Sequence, residues 1–118
     1  MNKTLVLAAA LSLLVAGAAS AHARLITAAP KVGSSGPAPA ELKLSYSESL
    51  VPADCIVKVT GPGGGAVAIG PLALDAKSKR VMHVPLTGKL AAGAYRVSWT
   101  MKTEDGHKTD GDFAFTVK

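Results

Sequence analysis

Cysteine is nearly absent from this sequence: Cys55 stands alone among 118 residues, which excludes an intramolecular disulfide. Aromatic side chains are scarce too, with two Phe, two Tyr and one Trp, enough to fill a small core but not to pave a flat sugar-binding face. Charge of one sign never accumulates. Thirteen Lys and Arg against eight Asp and Glu give a formal +5, but the basic residues are scattered, which describes a solvated surface and argues against a nucleic-acid partner. The apolar run over residues 5–16 falls short of the roughly 20 residues a membrane-spanning helix needs. No Ser-His-Asp pattern, P-loop, Cys-x-x-Cys or zinc-protease motif is present, so ordinary hydrolase chemistry has nothing to rest on.

What is present begins with an export signal over residues 1–21. Lys3 supplies the positive start, residues 5–16 the apolar centre, and Ala19, Ser20 and Ala21 the small-residue cleavage pattern. Cleavage after Ala21 removes Lys3 and makes His22 the first residue of a mature domain over residues 22–118, a length that buries one modest core. A free α-amine and the imidazole of the same residue can close a chelate ring on one metal ion. That pairing is a strong half-site for Cu(II).

The mature chain is written in strand periods, with no convincing helix. Strands are expected over residues 24–28, 42–46, 55–60, 66–69 and 80–84, the last stopped by Pro85, with a Pro/Gly/Ser-rich connection over 30–39 and a glycine turn over 61–65. Tyr95, Val97, Trp99 and Met101 fall on one face of the next strand, and Phe113, Phe115 and Val117 alternate in the last, so these two strands form the middle of the core. Alternation also turns Cys55 inward, as a buried and inert thiol. About seven short strands with regularly spaced turns predict an all-β Greek-key sandwich or barrel.

Asp105 and His107, in the connection between the two core strands, are two residues apart, so in an extended segment both face one side and both can reach one metal ion. Asp-Gly is equally an ordinary turn dipeptide. Whether this connection and the mature N-terminus share one end of the fold is not readable from spacing.

The start at His22-Ala23-Arg24-Leu25, the segment Leu44-Ser45-Tyr46-Ser47-Glu48-Ser49-Leu50-Val51, the strand Gly93-Ala94-Tyr95-Arg96-Val97-Ser98-Trp99 and the later Asp105-Gly106-His107 together resemble the CopC family of periplasmic copper-resistance proteins. The resemblance covers essentially the whole mature chain. It implies a cupredoxin-like or Ig-like β-barrel that binds copper without catalysis, in the periplasm. It also implies a Cu(II) site made of the His22 amine and imidazole, an Asp105 carboxylate oxygen and the His107 imidazole. Glu48 matches an acidic residue near that site, as a weak ligand or a group just behind the ligands. Implied partners are an inner-membrane CopD-type copper transporter or a periplasmic multicopper oxidase.

Two departures from the family pattern stand out. A Met-rich Cu(I) loop is missing: the glycines of 61–65 occupy that region, and the mature methionines are Met82 and Met101. Lys108 follows His107 where the family carries proline. His83, isolated in a strand, is read as structural or solvent-exposed rather than as a ligand. Two other classes stay open at this point. An N-terminal His chelate also serves small copper-dependent oxidative enzymes, and the strand pattern alone suits a metal-free Ig-like interaction module.

Overall fold

The computed structural model describes residues 23–118; the signal segment over 1–21 and His22 lie outside the described residues. Eight strands run in chain order through the described residues: β1 (Leu25–Ala29), β2 (Ser35–Gly36), β3 (Glu41–Tyr46), β4 (Ile56–Thr60), β5 (Ala73–Asp75), β6 (Ser78–Pro85), β7 (Gly93–Lys102) and β8 (Lys108–Val117). They form two four-stranded sheets, β1-β3-β6-β5 and β2-β8-β7-β4, in which all pairings are antiparallel except the short parallel contact of β2 with β8. The all-β sandwich expected from the alternating pattern is the architecture found.

Each sheet turns one face inward, as the period of two requires. Leu42, Leu44 and Tyr46 of β3 and Met82 and Val84 of β6 meet Val57 and Val59 of β4, Tyr95, Val97, Trp99 and Met101 of β7 and Phe113, Phe115 and Val117 of β8. Burying a side chain of this size is worth about 1.5–3 kcal/mol, so this single core carries the stability of the domain. Tyr95 stacks on Phe115 with ring centroids 5.3 Å apart and donates its hydroxyl proton to the Ala91 carbonyl at 2.6 Å. Cys55 is buried as expected; its thiol donates to the Val51 carbonyl at 3.2 Å, and burial pushes its pKa up.

Three local readings need correction. Residues 66–69 form no strand; the segment passes from one sheet to the other, with Ala66 bridging Thr60 of β4 and Ile69 bridging Leu86 just after β6, so neither pairing extends into a ladder. The pairing at this edge comes instead from the short β5, and β6 starts at Ser78 and runs through Pro85. The last strand begins at Lys108, well before the hydrophobic alternation starts. Gly111 occupies an inward position where the pattern lacks a side chain, and the Trp99 ring fills the space: a Cβ on Gly111 would lie 2.6 Å from Trp99 Cζ2. A polar-looking stretch is therefore a strand because its partner supplies the missing volume.

On the outer face of the first sheet, His83 of β6 stands between two carboxylates. Its Nδ1 lies 2.9 Å from Glu41 Oε1 on β3 and its Nε2 2.8 Å from Asp75 Oδ1 on β5. The expectation of a structural histidine fits this cross-strand link.

Candidate functional site

The connection between β7 and β8 is a tight turn over residues 103–107. Thr103 N–H donates to the His107 carbonyl at 2.9 Å and Gly106 N–H to the Thr103 carbonyl at 2.9 Å. Gly106 has φ +91°, a conformation that glycine adopts without the steric cost of a side chain. The turn is stitched to the segment after β3 by Glu104 N–H to the Ser49 carbonyl at 3.0 Å and Val51 N–H to the Lys102 carbonyl at 2.9 Å. These bonds bring Glu48 alongside.

Within the turn, Thr103 organises the polar groups. Only 2% exposed, it directs its hydroxyl at Asp105 Oδ1 and stands 3.2 Å from the His107 carbonyl. The other carboxylate oxygen, Asp105 Oδ2, lies 3.2 Å from His107 Nδ1, and the His107 N–H reaches Oδ1 at 3.4 Å. The Thr103 hydroxyl first, and His107 second, hold the Asp105 carboxyl below the usual carboxylate range. A carboxylate on Nδ1 is the arrangement that orients an imidazole for coordination through Nε2. Asp105 and His107 are both about half exposed, so an ion can approach from solvent.

Glu48, Ser49, Thr103, Glu104 and Asp105 line a shallow depression of about 200 Å³ beside the turn. Three carboxylates on its wall favour a cation. A larger open depression of about 410 Å³ lies over Ile56, Lys58, Thr100 and Asp112 of the second sheet, but no histidine lines it.

The start of the described chain lies at this same end. Ala23 is 3% exposed, and its carbonyl accepts a hydrogen bond of 3.0 Å from the Thr109 hydroxyl, two residues after His107. Arg24 is held on the other side by Ser47, the neighbour of Glu48: Arg24 N–H donates to Ser47 Oγ and Ser47 N–H to the Arg24 carbonyl, both at 2.9 Å. Residues 23 and 24 therefore bridge from the end of β3 to the start of β8. The structure brings Glu48, Asp105 and His107 to one end and leaves His83 on the outer face of the other sheet; His22 itself is outside the described residues. Among the described residues no group of three or more His, Cys, Asp or Glu side chains could hold a metal ion, so Asp105 and His107 form an incomplete set.

Sequence reasoning passed over Thr103, Thr109, Ser47 and Glu104. Thr109 carried a usable signal, since it shares the inward parity of Phe113 and Phe115, where a hydroxyl needs a partner.

No helix among the described residues is long and apolar enough to cross a membrane. Copper resistance protein C of Pseudomonas syringae pv. tomato is 32% identical, with 92% of this chain aligned to 90% of that protein. Copper resistance protein C of Escherichia coli is 33% identical over 100% of this chain and 98% of its own length. Among solved structures, PcoC, a methionine-rich copper resistance protein from Escherichia coli, superposes with a TM-score of 0.75 at 31% identity, covering 83% of this chain and all of that one. CopC from Methylosinus trichosporium OB3b gives a TM-score of 0.75 at 26% identity, covering 82% of this chain and 94% of that one. The family model described as the CopC domain matches residues 25–118, and the chain with this fold and this turn belongs to the CopC family.

Proposed function

We propose that the protein is a periplasmic Cu(II)-binding protein of copper homeostasis and resistance, exported by cleavage after Ala21 and free of catalytic activity. In this reading the His22 amine and imidazole and the His107 imidazole supply nitrogen donors, Asp105 supplies a carboxylate oxygen, and Glu48 adds negative charge beside them. The observation that supports it is the fastening of residues 23 and 24 at the end that holds Asp105 and His107. The relatives named for copper resistance support the choice of metal. A nitrogen and oxygen donor set suits tetragonal Cu(II), and first-row affinities rise to copper.

Asp105 Oδ2 rests on His107 Nδ1, so direct ligation by Asp105 exchanges that contact for the metal, while Thr103 keeps Oδ1 in place. Nitrogen donors bind only after losing their protons, so occupancy falls as the solution is acidified. A CopD-type transporter or a multicopper oxidase would serve as recipient.

The test is a Cu(II) titration, followed by EPR, of protein beginning at His22 beside protein carrying one extra residue before it. One tight tetragonal nitrogen/oxygen centre in the first and a weaker, altered centre in the second is the expected outcome. Equal binding in both would overturn the N-terminal chelate, and weak binding in both would reduce the Asp105-Gly106-His107 stretch to a turn.

A further inference from the structure

An N-terminal chelate has an inherent weakness, because the first residue of a chain is ordered only as well as the residues after it. Chain ends fray unless something ties them down. Here the tie is specific. Thr109 is the second residue of β8, at an inward position in the same register as Gly111, Phe113 and Phe115, and its hydroxyl donates to the Ala23 carbonyl at 3.0 Å. Ala23 is 3% exposed, so its carbonyl would find little water as an alternative partner. On the opposite side Arg24 N–H donates to the Ser47 hydroxyl and Ser47 N–H to the Arg24 carbonyl, at 2.9 Å each. The Ala23 carbonyl is thus fixed from the sheet that carries His107, and Arg24 from the sheet that leads to Glu48.

We infer that Thr109 is a positioning residue for the metal site: by holding the Ala23 carbonyl it sets where the amine and imidazole of residue 22 stand relative to His107. This rests on the proposed His22 site and deepens it. Thr109 touches no metal; it acts through one peptide unit. The same side chain is two residues from His107, so one short stretch of β8 and its approach both supplies a ligand and aims the other half of the set. Ser47 Oγ takes the N–H of the same Ala23–Arg24 peptide from the opposite side, so Thr109 and Ser47 together fix this unit, one peptide removed from the chelate. A chelate held in the wrong place still binds copper as a loose two-point site, but it cannot close the tetragonal set with His107.

The experiment is a coupling measurement with Cu(II) alone as the probe. Thr109→Val and Thr109→Ser are each made in protein beginning at His22 and in protein with one extra residue before it, and affinity, EPR spectrum and apo melting temperature are recorded. Losing an outer partner of a metal ligand costs about 10-fold in affinity at the least, so Thr109→Val should lose about that in the His22-start protein, with an altered EPR spectrum. Thr109→Ser should restore both, and Thr109→Val should change nothing further in the extended protein, where the amine chelate is already broken.

A loss of equal size in both backgrounds would mean Thr109 serves folding rather than positioning, and an unchanged affinity in the His22-start protein would overturn the role outright. If the extension alone leaves affinity untouched, the His22 reading falls and this inference with it; if the extension weakens binding and Thr109→Val does not, only this inference falls. Should the valine variant fail to fold, Ser47→Ala, which frees the other side of the same segment, is read against the same outcomes.

Discussion

Thr103 carries a hydroxyl into an almost fully buried position and spends it on the Asp105 carboxylate and the His107 carbonyl. That hydroxyl, with the 3.2 Å contact of Asp105 Oδ2 to His107 Nδ1, makes three residues of a short turn behave as one unit. On this geometry Asp105→Ala removes both a proposed ligand and the group that orients the other, and His107→Ala removes a nitrogen donor. Each variant should lower Cu(II) affinity by about 10-fold or more, whereas His83→Ala should leave it unchanged; isothermal titration of the three beside the parent protein decides, and equal losses would sink the assignment. At this scale the sequence was readable where a residue type is rare. His107 and Asp105 stand out because imidazoles are few and the spacing is short. Thr103 does not, since a threonine in a polar run looks the same whether solvated or buried, and only the bridge between Leu50 and Thr103 reveals that the chain covers it.

Strands with a full alternating face were legible as strands. β7 declares itself through Tyr95, Val97, Trp99 and Met101, but its partner β8 hides its first part because Gly111 contributes no side chain and Trp99 fills the place. β5 was not legible at all: three residues carry no period, and its position comes from pairing with β6 and from the link between His83 and Asp75. A ring that meets a carboxylate oxygen at each nitrogen is the imidazolium form, with both nitrogens donating. Asp75 first and Glu41 second hold that proton on and raise the His83 pKa, while His83 first lowers that of Asp75; Lys43, paired with His83 across β3 and β6, adds positive charge that also lowers Asp75.

The sign follows from linkage. The raised His83 pKa stabilises the fold fully below the ordinary imidazole value of about 6.5, and that contribution is lost as pH rises through the raised value. The lowered Asp75 pKa stabilises above about 3.9 and is lost as pH falls through its lowered value. The link is therefore strongest between those two ordinary values. Hydrogen-exchange protection of residues 73–75, corrected for intrinsic rates, should be full below about pH 6.5 and fall as pH rises through the raised His83 value in the parent protein. In His83→Gln it should be low and flat. Identical profiles in the two proteins would mean that β5 is held by its ladder alone.

For the molecule as a whole, acid acts in opposite directions at two places. The β5 link is fully formed below about pH 6.5, while the proposed site of nitrogen donors would give up its ion as acid is added. A domain that holds copper as proposed would release it in acid without loosening that part of its scaffold. The two-sheet architecture was the most legible level of all, because it depends on the sum of many alternating positions rather than on any one. The meeting of the chain's beginning with the β7–β8 turn was the least legible, because one threonine hydroxyl and one serine make it and neither carries a periodic signal. Trp99 has a consequence of another kind. It is the protein's single tryptophan, 8% exposed and packed across Gly111. Trp99 lies three residues along β7 from Lys102, which pairs with the residue after His107, a separation of roughly 10 Å at strand rise. Its fluorescence should dim on Cu(II) binding with no shift of the emission maximum, since the ion approaches while the indole stays dry. A red shift during titration would show that metal loading opens the packing. The same indole thus separates by intensity and by colour the arrival of copper from the loss of the fold.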